Sequence, residues 1–197
     1  MKTQRIGTIL VILGVVLIIS ALLLLNHNNY IEKKAYKESM TALNILQHET
    51  QKNQSLAYKK DTISINKNIY IGYIEIPKID IQLPVLSDWD YDKLKTAPCR
   101  HFGDVKSNDL VIAAHNYKKH FGRINNLQIG DDVSFVDVNN CRYSYVIKEK
   151  HAINPTDVDK VQNSGYDLVL YTCTYGGRKR IALFCNKILD STDEYYN

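Results

Sequence analysis

The sequence predicts an all-β barrel of seven to eight strands with short connecting helices, preceded by one N-terminal membrane-spanning helix. Three observations lead there. Ile6 to Leu25 is apolar except for Gly7, Thr8, Gly14 and Ser20, and about 20 such residues cross a bilayer as a helix. From Ile69 onward, short β-type runs alternate with turn residues such as Gly130-Asp131-Asp132 and Asn139-Asn140, the texture of a barrel or sandwich. Within that region helical patterning is confined to Asp90–Thr96, Gly122–Leu127 and Thr156–Gln162.

Taken in order, residues 1–5 carry Lys2 and Arg5 ahead of the apolar span at 6–25. The run is too long for the apolar core of a cleaved signal peptide. Asn26-His27-Asn28-Asn29 after it offers no small-residue cleavage site. It therefore reads as an uncleaved anchor, with Tyr30 near the interface. Lys33, Lys34 and Lys37 nearly balance the charges before the span, so charge alone decides little about orientation. The bulk that follows translocates largely regardless of charge, which favours a cytoplasmic N-terminus and an extracellular domain. Tyr36, Met40, Leu43 and Leu46 recur at helical spacing, so Ile31 to about Gln51 is expected as an amphipathic helix. His48 to Asp61 is polar and lysine-rich. Residues 26–68 thus read as a helical and polar stalk, 69–190 as the barrel domain and 191–197 as a tail. The expected strands are Tyr70–Ile76, Ile81–Val85, Leu110–His115, Asp132–Val138, Ser144–Ile153, Asp167–Cys173 and Arg180–Ile188.

A formal net charge of +4 over 197 residues is small. With no basic helix and no interleaving of aromatic and basic residues, a nucleic-acid partner is not expected. The four cysteines, Cys99, Cys141, Cys173 and Cys185, share no C-x-x-C spacing, which argues against structural zinc or a redox pair. Cys99-Arg100-His101 is too tight for a usual ligand pair, and no acidic cluster points to calcium. No metal and no cofactor are expected. Mostly free thiols are expected, with a bridge from Cys99 to Cys185 or Cys141 left open.

Leu168-Val169-Leu170-Tyr171-Thr172-Cys173 is a β-type run that ends on a cysteine and meets Thr174-Tyr175-Gly176-Gly177-Arg178-Lys179-Arg180 at once. Neighbouring cations stabilise a thiolate over a thiol. A strand cysteine is more often a small buried hydrophobe, but this one sits at a strand end among cations. Val111-Ile112-Ala113-Ala114-His115 likewise ends an apolar strand on a histidine. His101, His120 and His151 stand in loop or polar contexts. Side chains alternate along a strand, so Val169, Tyr171 and Cys173 share one side, as do Val111, Ala113 and His115. A hairpin between the last two strands would bring Cys173 and Arg180 to one rim. Cysteine, histidine and arginine around one groove point to nucleophilic acyl transfer. Arg178 competes with Arg180 for the third role. Arg180 is preferred because it starts the final strand.

Longer motifs accompany these residues. Ile71-Gly72-Tyr73-Ile74-Glu75-Ile76-Pro77-Lys78-Ile79-Asp80 followed by Leu83-Pro84-Val85 resembles the first two strands of the sortase family. Ala113-Ala114-His115 resembles that family's histidine strand, and Phe121, Leu127 and Gly130-Asp131 the segment after it. Asn154-Pro155-Thr156-Asp157 resembles the connection before the cysteine strand, and Leu170-Tyr171-Thr172-Cys173 is similar to the T-L-x-T-C signature. The resemblance runs from about Ile71 to Ile188 in the order His, Cys, Arg. Two positions depart: Val169 stands at the signature's first Thr, and Ala114 where glycine is often found before the histidine.

The resemblance implies a sortase-like barrel and a cysteine transpeptidase. Cys173 would attack the Thr–Gly carbonyl of an LPxTG-like signal near the C-terminus of secreted proteins. His115 would act as general acid and base, and Arg180 would hold the substrate and stabilise the oxyanion. Thr172, Tyr171 and Ala114 are the expected substrate-binding residues. An amine on a lipid-linked cell-wall precursor, or another amine acceptor, would resolve the thioester at the outer face of a Gram-positive cell membrane. The chain is more similar to class A or class D sortases than to pilin-polymerising ones, having neither an Asp-Pro-aromatic lid nor a C-terminal span. Two other readings remain. One is a different Cys-His acyltransferase or hydrolase acting on peptidoglycan, disfavoured because there is no S-H-G-C-type run. The other is a non-catalytic membrane-tethered binding domain, disfavoured because all three reactive residue types are present.

Overall fold

No glycine or proline interrupts the chain between Gly14 and Gly72, and the apolar run and the amphipathic stretch after it form one helix, α1 (Lys2–Asn53). The computed structural model describes residues 2–53 and 59–188. Residue 1, residues 54–58 of the expected stalk, and 189–197 with the expected tail lie outside the described residues. The chain divides between Lys34 and Ala35 into two units. In the first, the apolar side chains of Ile9 to Leu25 are exposed rather than packed on protein. By length and composition this helix is a candidate membrane span.

The second unit begins inside the segment expected as a stalk. Here α1 lays Ala42, Leu43 and Leu46 against Ile63, Ile65, Tyr70, Tyr73 and Val136. Its last residue, Asn53, donates from Nδ2 to the Val138 carbonyl at 3.0 Å. The apolar stripe visible in the sequence is thus a packing face. Burying each leucine contributes about 2 kcal/mol, so this part of the helix belongs to the barrel rather than to a spacer.

The strands are β1 (Ile63–Ile65), β2 (Asn68–Ile76), β3 (Ile81–Leu86), β4 (Cys99–Phe102), β5 (Leu110–Ala114), β6 (Asp132–Asp137), β7 (Arg142–Ile153), β8 (Leu168–Cys173) and β9 (Arg180–Lys187). Eight of them form a closed barrel in the order β2-β3-β4-β5-β8-β9-β7-β6, sealed by β6 pairing back onto β2. Gly72 sits at the closure, with φ +152°, and a Cβ there would lie 2.1 Å from the Val136 carbonyl oxygen. β1 adds a short hairpin partner to β2. β1 and β4 were not expected as strands: three and four residues long, they are too short to show a period, and β4 joins β3 through a single residue pair. The expected short helices are 3-10 turns at Lys93–Lys95 and Phe121–Asn126 and the helix α2 (Val158–Gln162), beside a further turn at Pro77–Ile79.

Alternation sorts the strands' side chains as the pattern requires. Leu110, Ile112, Ala114, Leu168, Leu170 and Leu183 fill the barrel interior. Val111, Val169, Ala182 and Phe184 form a separate outer cluster with Ile153 and with Val161 of α2. The outer face of β5, β8 and β9 is therefore partly roofed, and its open end is where the site lies.

Candidate active site

β5 and β8 run parallel with Ala114 beside Thr172, so one further step along the chain brings His115 to the level of Cys173. β8 and β9 run antiparallel with Cys173 directly paired to Arg180. Neighbouring strands lie about 4.8 Å apart. The ends of three adjacent strands thus collect cysteine, histidine and arginine at one rim. Two hydrogen bonds tie the rim: Thr172 Oγ1 donates to the Ala114 carbonyl at 2.8 Å, and Asn116 Nδ2 to the Thr174 carbonyl at 3.5 Å.

The connection from β8 to β9 turns through Gly176 and Gly177, both at positive φ. Arg180 Nη1 donates back to the Gly177 and Lys179 carbonyls at 3.1 and 3.3 Å. That holds the guanidinium over its own turn. Cys173 and Arg180 both line a cleft of about 310 Å³. Arg178 is exposed and is not part of the lining. Tyr171, Thr172 and Ala114 also line it, although Thr172 and Ala114 are almost wholly buried, so they form its floor.

His115 is half-buried, and its ring stacks on Tyr117 with centroids 4.1 Å apart and planes 6° apart. It is not among the cleft-lining residues. Its Nδ1 is buried without a hydrogen-bond partner. Burial lowers its pKa, opposed by the Asn116 side chain and reinforced by Lys95. Beyond Tyr117 lies His120, fully buried with both ring nitrogens unpartnered. Burial first, and then the neighbouring His115, takes its pKa down to about 4. Sequence reasoning missed Tyr117 and His120, which lie in a loop without periodicity. It also missed Trp89, Tyr91 and His101 in the cleft wall.

All four cysteines are free. Cys185 and Cys99 are fully buried, and burial pushes both thiols up to about 12. Neither is a plausible nucleophile at neutral pH. Among the described residues no cluster of three or more His, Cys, Asp or Glu is disposed to hold a metal ion.

Residues 74–188 match the family model described as the Sortase domain, which is more than half of the chain. The chain belongs to the sortase family. Sortases are cysteine transpeptidases. Sortase A of Bacillus anthracis is similar to it at 26% identity over 194 residues, covering 88% of this chain and 89% of that protein. A Clostridium perfringens Sortase D5 transpeptidase superposes with TM-score 0.56 at 23% identity, covering 81% of this chain and 99% of that one. Sortase C1 of Streptococcus agalactiae gives TM-score 0.54 at 23% identity, covering 73% and 77%. At these identities the structural likenesses show the fold alone.

Proposed function

We propose that this sortase is a membrane-anchored enzyme that cleaves an LPxTG-like sorting signal and transfers the new carboxyl to an amine of a cell-wall precursor. The observation that carries this is the register: Cys173 paired to Arg180 on one side, and β5 delivering His115 on the other.

In this reading Cys173 Sγ attacks the Thr–Gly carbonyl and its proton passes to His115. Burial keeps the His115 ring mainly neutral near pH 7, so it can accept that proton. It returns the proton to the amine as the C–N bond breaks, leaving a thioester. An incoming amine then gives its proton to His115, attacks the thioester carbonyl and releases Cys173. Arg180, paired with Cys173 across the β8–β9 ladder, stabilises the negative oxygen in both steps. Thr172, Ala114 and Tyr171 supply the floor on which the peptide lies. The candidate span fixes the enzyme in the cell membrane, N-terminus inside and barrel outside, where secreted substrates and lipid-linked acceptors meet.

The test uses the full chain in detergent, a pool of LPxTG-like peptides and a panel of amines, read by mass spectrometry. Peptides cut between Thr and Gly and joined to an amine are expected. No acyl-enzyme and no product would contradict the reading, and would favour a peptidoglycan substrate or a binding role.

A further inference from the structure

The walls of the Cys173 cleft are largely apolar, with Trp89, Leu94, Ile153, Val158 and Val161 among them. Besides Asn154, Asp157 and Arg180, a hydrogen-bonded pair of polar side chains is set into this surface. Tyr171 lies two residues before Cys173 on the same strand face. Its hydroxyl is 2.7 Å from Nδ1 of His101 on β4, and both residues line the cleft. The His101 ring is further held by Phe102 and Trp89, at centroid distances of 3.8 and 5.2 Å.

The protons on this pair follow from its surroundings. Burial raises the Tyr171 pKa and lowers that of His101, so near pH 7 the pair is a phenol and a neutral imidazole. Of the two groups the phenol is the better donor and the imidazole nitrogen the better acceptor, so the favoured arrangement has the O–H donating to Nδ1. A neutral imidazole that accepts at Nδ1 carries its proton on Nε2. Nε2 has no protein acceptor among the described residues. The cleft therefore holds an oriented N–H donor amid apolar walls.

We propose that His101 is a specificity-determining residue whose Nε2–H, fixed by the Tyr171 hydroxyl, hydrogen-bonds an oxygen acceptor on the side chain of a substrate residue preceding the scissile bond. The acceptor is a carboxylate or an amide. An aliphatic side chain in the same place would leave the donor unpaired on desolvation, which is what makes such sites discriminate. Tyr171 acts through His101 and is a positioning residue. This inference rests on the peptide-cleaving reading above.

The test is a position scan with the full chain in detergent. Each of the four residues before the scissile bond is varied among Gln, Glu, Leu and Met, and kcat/KM is read by mass spectrometry. At one position Gln and Glu are expected to be cleaved about tenfold faster than Leu and Met, the worth of one hydrogen bond in a half-open site. Tyr171→Phe should shrink that ratio to about twofold or less. His101→Gln carries its own amide donor and should keep the preference, and adding Tyr171→Phe to it should leave the ratio unchanged. A merely structural Tyr171 would lower all rates together without moving the ratio. No acceptor preference at any position, or a ratio that survives Tyr171→Phe in the otherwise native enzyme, would overturn the proposal. Cleavage of no peptide at all would remove the peptide-cleaving reading, and the inference with it.

Discussion

The two faces of the β5–β8–β9 sheet carry the same kinds of residue in opposite settings. Inward, Ala114, Thr172 and Cys185 are buried, and the Cys185 thiol is pushed up to about 12. Outward, Cys173 and Arg180 line an open cleft and His115 stands half-buried beside Tyr117. Thr172 and Cys173 are neighbours in the chain, yet the Thr172 hydroxyl is a buried tie to Ala114 beneath the cleft floor while Cys173 stands in the open cleft. The difference is strand parity. A one-residue slip in β8 would exchange their faces, so the ladder that builds the barrel also decides which thiol is available.

The sharpest way to break this comparison is to remove one thiol from each face. Cys173→Ala should lower transpeptidation by about 10³-fold or more while the unfolding midpoint stays put. Cys185→Ala should do the reverse, lowering stability with turnover kept. Steady-state rates and urea titrations of the two variants check both halves. The arginine is next in size. Arg180→Ala should cost about 10²- to 10³-fold in kcat, the usual loss for one oxyanion donor, whereas Arg178→Ala should cost little. The reverse ranking would move the role to Arg178.

The third effect is on stability and concerns His120. Its folded pKa is about 4, below the unfolded value of about 6.5. As pH falls from about 6.5 towards 4, the unfolded chain binds a proton that the folded chain refuses, so stability drops with falling pH. The full loss is about 3 kcal/mol. Urea midpoints at pH 7 and pH 5 should separate in the native protein and draw together in His120→Leu. Equal separation in both would place the acid sensitivity elsewhere. The smallest effect is at the interior tie: Thr172→Val removes the bond to the Ala114 carbonyl and should lower stability by about 1 kcal/mol, measured by thermal unfolding.

Local pattern made much of this legible. Seven of the nine strands show alternation or a continuous apolar run, and alternation put Val169, Tyr171 and Cys173 on one side of β8. That this side faces outward is set by the barrel's packing of Leu168 and Leu170 inside. The motif residues named the family. What escaped was set by long-range packing. β4 is held by neighbours rather than by its own pattern. The stripe at Leu43 and Leu46 announced a helix, but not that it covers β2 and β6. The Tyr171–His101 bond joins residues 70 apart in the chain. The stack of His115 on Tyr117 depends on a loop whose residues obey no period.

The most direct test of the central claim is to find which sulfur becomes acylated. The full chain in detergent would be incubated with a sorting-signal peptide without any amine, quenched in acid, digested and mapped by mass spectrometry. The account predicts a thioester on Cys173, with Cys99, Cys141 and Cys185 unmodified. An adduct on Cys141, the exposed thiol on the β6–β7 turn, or acylation that persists in Cys173→Ala, would contradict it.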